Sequence, residues 1–275
     1  MELIGSLDAL YPFLIALIIA GVVAGFLAGL FGVGGGAVLV PVFYQMLGEL
    51  GIDESIRMHL AVGTSLAIIV PTSLMSFVKH KANGSVDMAL LNAFKLFVPF
   101  GVICASIITV FISGAGLRVI FAVLSFAIAI KLLFGKEEWV LGKALPANPV
   151  KGIVGWAIGF FSTFMGIGGG TFNNLFMTLY GSSMHSAVAT SSGVGVLIAI
   201  PGAIGYIIAG WGNALLPVYS FGYVNFLMVI MVIPLTLLFA PLGVKVAHLV
   251  SKRQLEASFG VFLILVSIRF FVSLF

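Results

Sequence analysis

The chain is a succession of apolar runs separated by short polar breaks. The runs fall at about 11–31, 37–47, 58–78, 88–112 and 117–135; after a charged, Pro-containing stretch they resume at about 153–167, 171–181, 186–210, 224–245 and 254–275. Most are about 18 to 25 residues long, which is what a helix needs to cross a hydrocarbon core about 30 Å thick. Two runs, each preceded by three consecutive glycines, have only about 11 residues and are too short to span alone. The pattern predicts an all-α integral membrane protein made of two copies of one unit, each a glycine-broken helical hairpin followed by three transmembrane helices. The first membrane repeat covers 1–135, a cytoplasmic linker 136–152, and the second repeat 153–275.

Residues recur along with hydropathy. Gly32-Val33-Gly34-Gly35-Gly36 returns as Gly166-Ile167-Gly168-Gly169-Gly170, and the segment from Met58 to Ser65 returns, in the same order, from Met184 to Ser191. Lys131 and Arg269 form a weaker third match near the ends of the two halves.

Composition sharpens the class. Hydrophobic residues make up 61% of the 275, and only 8% are charged, against about 25% in ordinary soluble domains. The thirteen Lys and Arg sit in short loops and at helix ends without forming a basic patch, so the net charge of +4 reports orientation and does not mark a nucleic-acid partner. Basic residues favour the cytoplasmic side. If each glycine hairpin returns to the side it entered from, each half crosses an odd number of times and the second copy is inverted. Ten basic residues then lie inside, only Arg57, Arg118 and Arg269 lie outside, and both termini are periplasmic or extracellular. The first basic residue is Arg57, so the first apolar run lacks the positive flank of a cleavable signal and is expected to remain. Cys104, the single cysteine, lies in an apolar run as packing.

The triple glycines point inward. Glycine is a poor helix former, and irregular backbone at membrane depth survives only where it faces protein or a water-filled cavity. Where helix restarts, at Ala37 or Thr171, free amides and the positive dipole end favour an anion, and paired broken helices at the midplane hold substrate in inverted-repeat transporters. Close helix packing by small residues is the competing reading. Gly32 to Ala37 also fits a dinucleotide-binding spacing, but no strand surrounds it.

Candidate substrate-binding residues are Gly34, Gly35, Gly36, Gly168, Gly169 and Gly170, with Gln45, Thr171, Asn173 and Asn174 on the short runs and Thr64, Ser65, Thr190 and Ser191 on the following helices. Amides and hydroxyls donate to anions, and they also bond across or along membrane helices. His59 and His185, five residues before each threonine, are candidates for helix capping or for a gating or proton-linked role. Lys131 and Arg269 have stems long enough to snorkel to the interface. No Asp or Glu lies centrally in a run, which argues against a carboxylate proton relay, and no P-loop, metal-ligand or nucleophile constellation is visible. No enzyme activity, cofactor or metal is expected.

Gly25-Phe26-Leu27-Ala28-Gly29-Leu30-Phe31-Gly32-Val33-Gly34-Gly35-Gly36 with Val40-Pro41, then Ala61 to Ser65, and the copies at Gly166–Gly170 and Ala187–Ser191, resemble the TauE/SafE sulfite exporter family, also called TSUP permeases. The resemblance covers essentially the whole chain. It implies a bacterial inner-membrane carrier for sulfite, sulfoacetate and related organosulfonates, sometimes thiosulfate or sulfate. The partners expected are a small sulfur-containing anion and the lipid bilayer, with no nucleic acid, and self-association into a homo-oligomer stays open. Leu175 stands where the first copy has Pro41, and Thr171, Asn173 and Asn174 replace Ala37, Leu39 and Val40, so the second hairpin is expected to dominate substrate contact. A small-anion channel and a non-transporting membrane subunit are the rival readings.

Overall fold

The computed structural model describes residues 7–31, 35–135, 141–142, 144–247 and 249–274. Gly34 and most of the charged part of the linker lie outside the described residues. The rest is almost wholly helical. The first half contains α1 (Leu7–Phe31), α2 (Gly36–Glu49), α3 (Glu54–Ala82), α4 (Met88–Thr109) and α5 (Gly114–Phe134). The second contains α6 (Val150–Met165), α7 (Gly170–Leu179), α8 (Met184–Ala209), α9 (Phe226–Ala247) and α10 (Lys252–Val272), with strands β1 (Ser220–Phe221) and β2 (Val224–Asn225) before α9.

Among the described residues six helices, α3, α4, α5, α8, α9 and α10, are long and apolar enough to cross a membrane. Their outward faces carry bare apolar side chains: Leu96 is 70% exposed and Leu238 67%. A surface built this way suits lipid as its solvent, and the chain is an all-α membrane protein. The inward faces meet around Phe43, Leu60, Leu66, Phe94, Phe121, Ile198 and Tyr206, all fully or almost fully buried. Helix starts in the loops follow ordinary capping chemistry. Asp53, Asp87, Ser113, Ser183 and Ser251 each accept a first-turn backbone N–H of α3, α4, α5, α8 and α10 respectively.

Helix directions follow from the contacts. Helix α1 runs parallel to α9, with Gly21 against Leu235 and Gly29 against Ala240. Helix α6 runs parallel to α4, with Gly155 against Phe94 and Gly159 against Val98. Glycines on α1 and α6 let the backbones approach closely, as small residues do between membrane helices. By contrast α3 and α8 are antiparallel: Gly63 near the start of α3 packs on Tyr206 near the end of α8, and the His80 ring near the end of α3 lies 6.4 Å from that of His185 at the start of α8. Helices α5 and α10 are antiparallel too. Arg118 in the first turn of α5 donates to the Ser273 carbonyl at the end of α10 (3.0 Å), and Arg253 in the first turn of α10 donates to the Leu132 carbonyl at the end of α5 (3.1 Å). Each arginine thereby covers the other helix's free C-terminal carbonyls.

The uncharged stretch at 211–223 ends in a small hairpin that the apolar pattern did not reveal. Ser220 pairs with Asn225 and Phe221 with Val224, the Tyr223 amide donates to the Tyr206 carbonyl (3.0 Å), and the Tyr223 ring packs on His59. This cap is tied to α3, because the Asn225 amide donates to the Thr64 hydroxyl (3.0 Å). At the opposite end the Asp87 amide donates to the Thr190 hydroxyl (2.9 Å). Replacing either threonine by valine keeps the shape and strands a buried or half-buried N–H, so each variant should lose about 1–3 kcal/mol. Thermal unfolding in detergent should show the larger loss for Thr64→Val, because the N–H it strands, on Asn225, is buried while that on Asp87 is half-buried.

Candidate functional site

Both short helices begin in the same unusual way. The glycine before α2, Gly35, has φ 77°, and the glycine before α7, Gly169, has φ 71°. A side chain would strain that left-handed backbone, and glycine adopts it freely. Neither start has a capping side chain, unlike the five loop-entered helices above. The Gly170, Thr171 and Phe172 amides have no backbone acceptor among the described residues, and Gly170 and Thr171 are buried. At about 1.5 Å per residue, α2 spans about 21 Å and α7 about 15 Å, so both must start or stop at membrane depth.

The two glycine segments meet. A Cβ on Gly36 would run into the Gly166 carbonyl oxygen and sit 2.8 Å from the Ile167 Cα. The same carbonyl accepts the Ser65 hydroxyl at 2.8 Å. Gly166 is itself left-handed (φ 62°) and ends α6, so Ser65, Gly36 and the α6–α7 break form one tightly packed junction. Gly168 lies against Ser73 and Gly195, and Gly169 against Val194 and Ile198 of α8.

Beside this junction the first turns of α7 carry a buried amide cluster. Asn173 Nδ2 donates to the Ser191 hydroxyl (2.8 Å), which donates on to Asn174 Oδ1 (2.7 Å). Two atoms are left over: Asn173 Oδ1 and Thr171 Oγ1 are buried with no hydrogen-bond partner among the described residues. Leaving a buried polar atom unpaired costs about 1–3 kcal/mol, so two of them beside an uncapped helix start mark a place suited to a polar guest. The cluster contains no ionised side chain; it offers neutral donors and a helix dipole, which can hold an anion without an ion pair.

The sequence candidates therefore divide. The structure brings together Gly36, Ser65, Gly168, Gly169, Gly170, Thr171, Asn173, Asn174 and Ser191, with Gly35 one residue before the junction. Thr64 and Thr190 are buried, and their hydroxyls accept from the chain just ahead of α9 and α4. Gln45 lies elsewhere. Near the exposed end of α2, it donates to Glu49 (3.3 Å) and accepts from Arg269 (3.1 Å). The histidines part company too: His59 is buried and bonded to the Ile112 carbonyl (3.0 Å), whereas His185 is exposed beside His80. Neither contacts the amide cluster.

Sequence reasoning missed Arg118. Although placed at a helix start, it is 4% exposed; it donates to the Tyr44 hydroxyl (2.9 Å) and forms an ion pair with Glu54. Only its position in a first turn at the end of the bundle with few basic residues hinted at this.

Comparison with known proteins bears on the whole chain. A "Probable membrane transporter protein" of Haemophilus influenzae is 33% identical over 269 residues, covering 96% of this chain and all of the relative. A protein of the same description from Methanocaldococcus jannaschii is 28% identical over 87% of the chain and 88% of its own length. One from Bacillus subtilis is 26% identical over 84% of the chain and 89% of its length. No solved structure matches. The family model described as "Sulfite exporter TauE/SafE" matches residues 17–270, and with nearly its full length accounted for the chain belongs to the TauE/SafE sulfite exporter family.

Proposed function

We propose that this membrane transporter exports sulfite or a small organosulfonate such as sulfoacetate across the bacterial inner membrane, holding the anion between the two glycine-broken hairpins. The observation that carries the reading is the pair of uncapped, glycine-started short helices, one of which joins Asn173 and Asn174 to Ser191 of α8 and leaves the Thr171 hydroxyl and Asn173 Oδ1 unpaired among the described residues. A sulfur oxyanion has oxygens for the α7 amides and the Thr171 hydroxyl. Asn173 Oδ1 needs a donor in return, which an accompanying water or the anion's own O–H supplies.

Alternating access is the second part of the proposal, with 1–135 and 153–275 as inverted halves around the 136–152 linker. Its support lies in paired contacts: α1 lies along α9 as α6 lies along α4, while α3 and α8, and α5 and α10, meet their counterparts head to tail. Thr64 and Thr190 play matching parts at opposite ends. The tight Gly36–Gly166 contact makes the described state a closed one, and rocking of the surrounding helices opens the junction to either side. Both termini are then periplasmic. An anion leaving a negative-inside cell gains about 2.3 kcal/mol per charge per 100 mV, so outward flux needs no coupled ion.

The test is flux in liposomes under an imposed potential, comparing radiolabelled sulfite, sulfoacetate and chloride, with Asn174→Ala beside the wild type. Saturable sulfur-anion flux that falls in the variant supports the carrier. Equal, non-saturating flux of chloride and sulfonate means a channel, and absence of flux for all three removes the proposed cargo.

A further inference from the structure

The three basic residues assigned to the outer side converge. Arg57 from the first turn of α3, Arg118 from the first turn of α5 and Arg269 from the last turn of α10 line one cleft of about 400 Å³. Basic residues are disfavoured on that side of a membrane protein, and these three come from separate helices. Their geometry is built rather than incidental. Two guanidinium groups lie over the Tyr44 ring, with Arg57 Cζ 5.4 Å and Arg118 Cζ 5.6 Å from its centroid. Arg57 uses Nε and Nη2 on the Ile52 carbonyl (3.1 and 2.8 Å), which fixes the plane of its head. Arg118 is nine-tenths buried, and its Nε has no hydrogen-bond partner among the described residues. Glu54 pairs with Arg118 and Glu49 accepts from Gln45, so among the described residues the cleft holds three positive and two negative groups.

The cleft opens onto a second, different space. A groove of about 510 Å³ between α2 and α10 shares Tyr44, Gln45, Arg269 and Ser273 with it, and is otherwise walled by apolar side chains including Pro41, Phe262, Leu265 and Val266. Leu265 is 62% exposed, which puts the groove on the lipid-facing surface. A free oxyanion would use the arginines and leave this groove unexplained. A charged mouth continuous with an apolar furrow at one end of a membrane bundle matches a molecule with an anionic head and a hydrocarbon tail.

We infer that this composite site binds an anionic phospholipid of the outer leaflet, its phosphate held by Arg269 and Arg57 and one acyl chain lying along α10 between Phe262 and Val266. Arginine suits the role because its planar fork grips two phosphate oxygens at once. The net single positive charge of the cleft complements a headgroup with one negative charge. Bound there, the lipid bridges α2, which follows the first glycine break, to the last helix of the chain.

The experiment uses the full-length protein, delipidated in detergent, with thermal unfolding and native mass spectrometry as readouts. Dioleoyl-phosphatidylglycerol is expected to raise the unfolding midpoint and remain bound, and dioleoyl-phosphatidylcholine to do neither. Arg269→Ala, an exposed position where folding is not at stake, should weaken phosphatidylglycerol binding about ten-fold or more, as loss of a charge-assisted bond implies. Leu265→Trp, which fills the groove while leaving all three arginines in the chain, should weaken it as well. Equal retention of the two lipids, or full binding by Arg269→Ala, overturns the inference. So does glycerol phosphate or sulfite stabilising as well as the lipid, which would make the cleft a free-anion site. A dimer disrupted by Leu265→Trp, with no lipid retained, would give the groove to a second copy. None of these readouts measures flux, so failure here and failure of the export reading are separable.

Discussion

Gly36→Ala should destabilise the protein by about 3 kcal/mol or more and stop transport, although it adds a single methyl group. Overpacking usually costs about 1–3 kcal/mol when side chains can shift, and more when they cannot. Here the obstacles are the Gly166 carbonyl and the Ile167 Cα, both backbone. The carbonyl is also pinned by the Ser65 hydroxyl, so pushing it aside breaks a buried hydrogen bond. Gly48→Ala is the control: its new methyl would meet only the Arg57 guanidinium, nearest at Nη1 (3.0 Å), the end of a long side chain and not backbone. Thermal unfolding and liposome flux on the two variants decide the matter. Wild-type stability in Gly36→Ala would mean that the two breaks do not pack as one junction.

Ser191→Ala is the second large effect, because one hydroxyl serves two amides. Removing it strands Asn174 Oδ1 and leaves Asn173 Nδ2 with only the Met177 sulfur at 3.4 Å. Asn173 is fully buried and already has an unpaired oxygen, so a loss of about 2–4 kcal/mol is expected. Coupling with Asn174→Ala should reach about 0.5–3 kcal/mol in a double-mutant cycle, since the two side chains share the bond. A purely structural cluster lowers the amount of folded protein and leaves the KM for sulfite unchanged. A cluster that touches the cargo raises KM in the folded fraction, so the split between KM and turnover separates the two roles.

The long apolar helices and the two glycine breaks were legible because both are written locally. A run of about 20 apolar residues has one stable fate in lipid, and three glycines before an 11-residue run cannot continue a helix across. The position of α7's Asn173 and Asn174 followed from the same arithmetic, since they fall in the first turns after the break. Gln45 shows where such reasoning fails. It stands nine residues after Gly36, about 13 Å along α2, and only its place on a short run likens it to the amides of α7. By sequence, Thr64 and Thr190 offer hydroxyls to the cavity. Their partners, Asn225 and Asp87, are 161 and 103 residues away, and no periodicity encodes such a pairing. His59 and His185 have matching sequence surroundings, yet one is covered by the Tyr223 hairpin and the other is not. The loops that follow each copy differ, and loops decide what covers a helix start.

The parallel seating of α1 on α9 has a consequence for how the protein is made. Its first helix leaves the ribosome long before its main neighbour, and Gly21, Gly25 and Gly29 then face lipid until residues near Leu235 to Gly243 arrive. Bare glycine ridges have no reason to stay unpaired in a bilayer, so the first half on its own is expected to be short-lived. Halves divided within 136–152 should accumulate only when expressed together, each supplying the helix the other is waiting for.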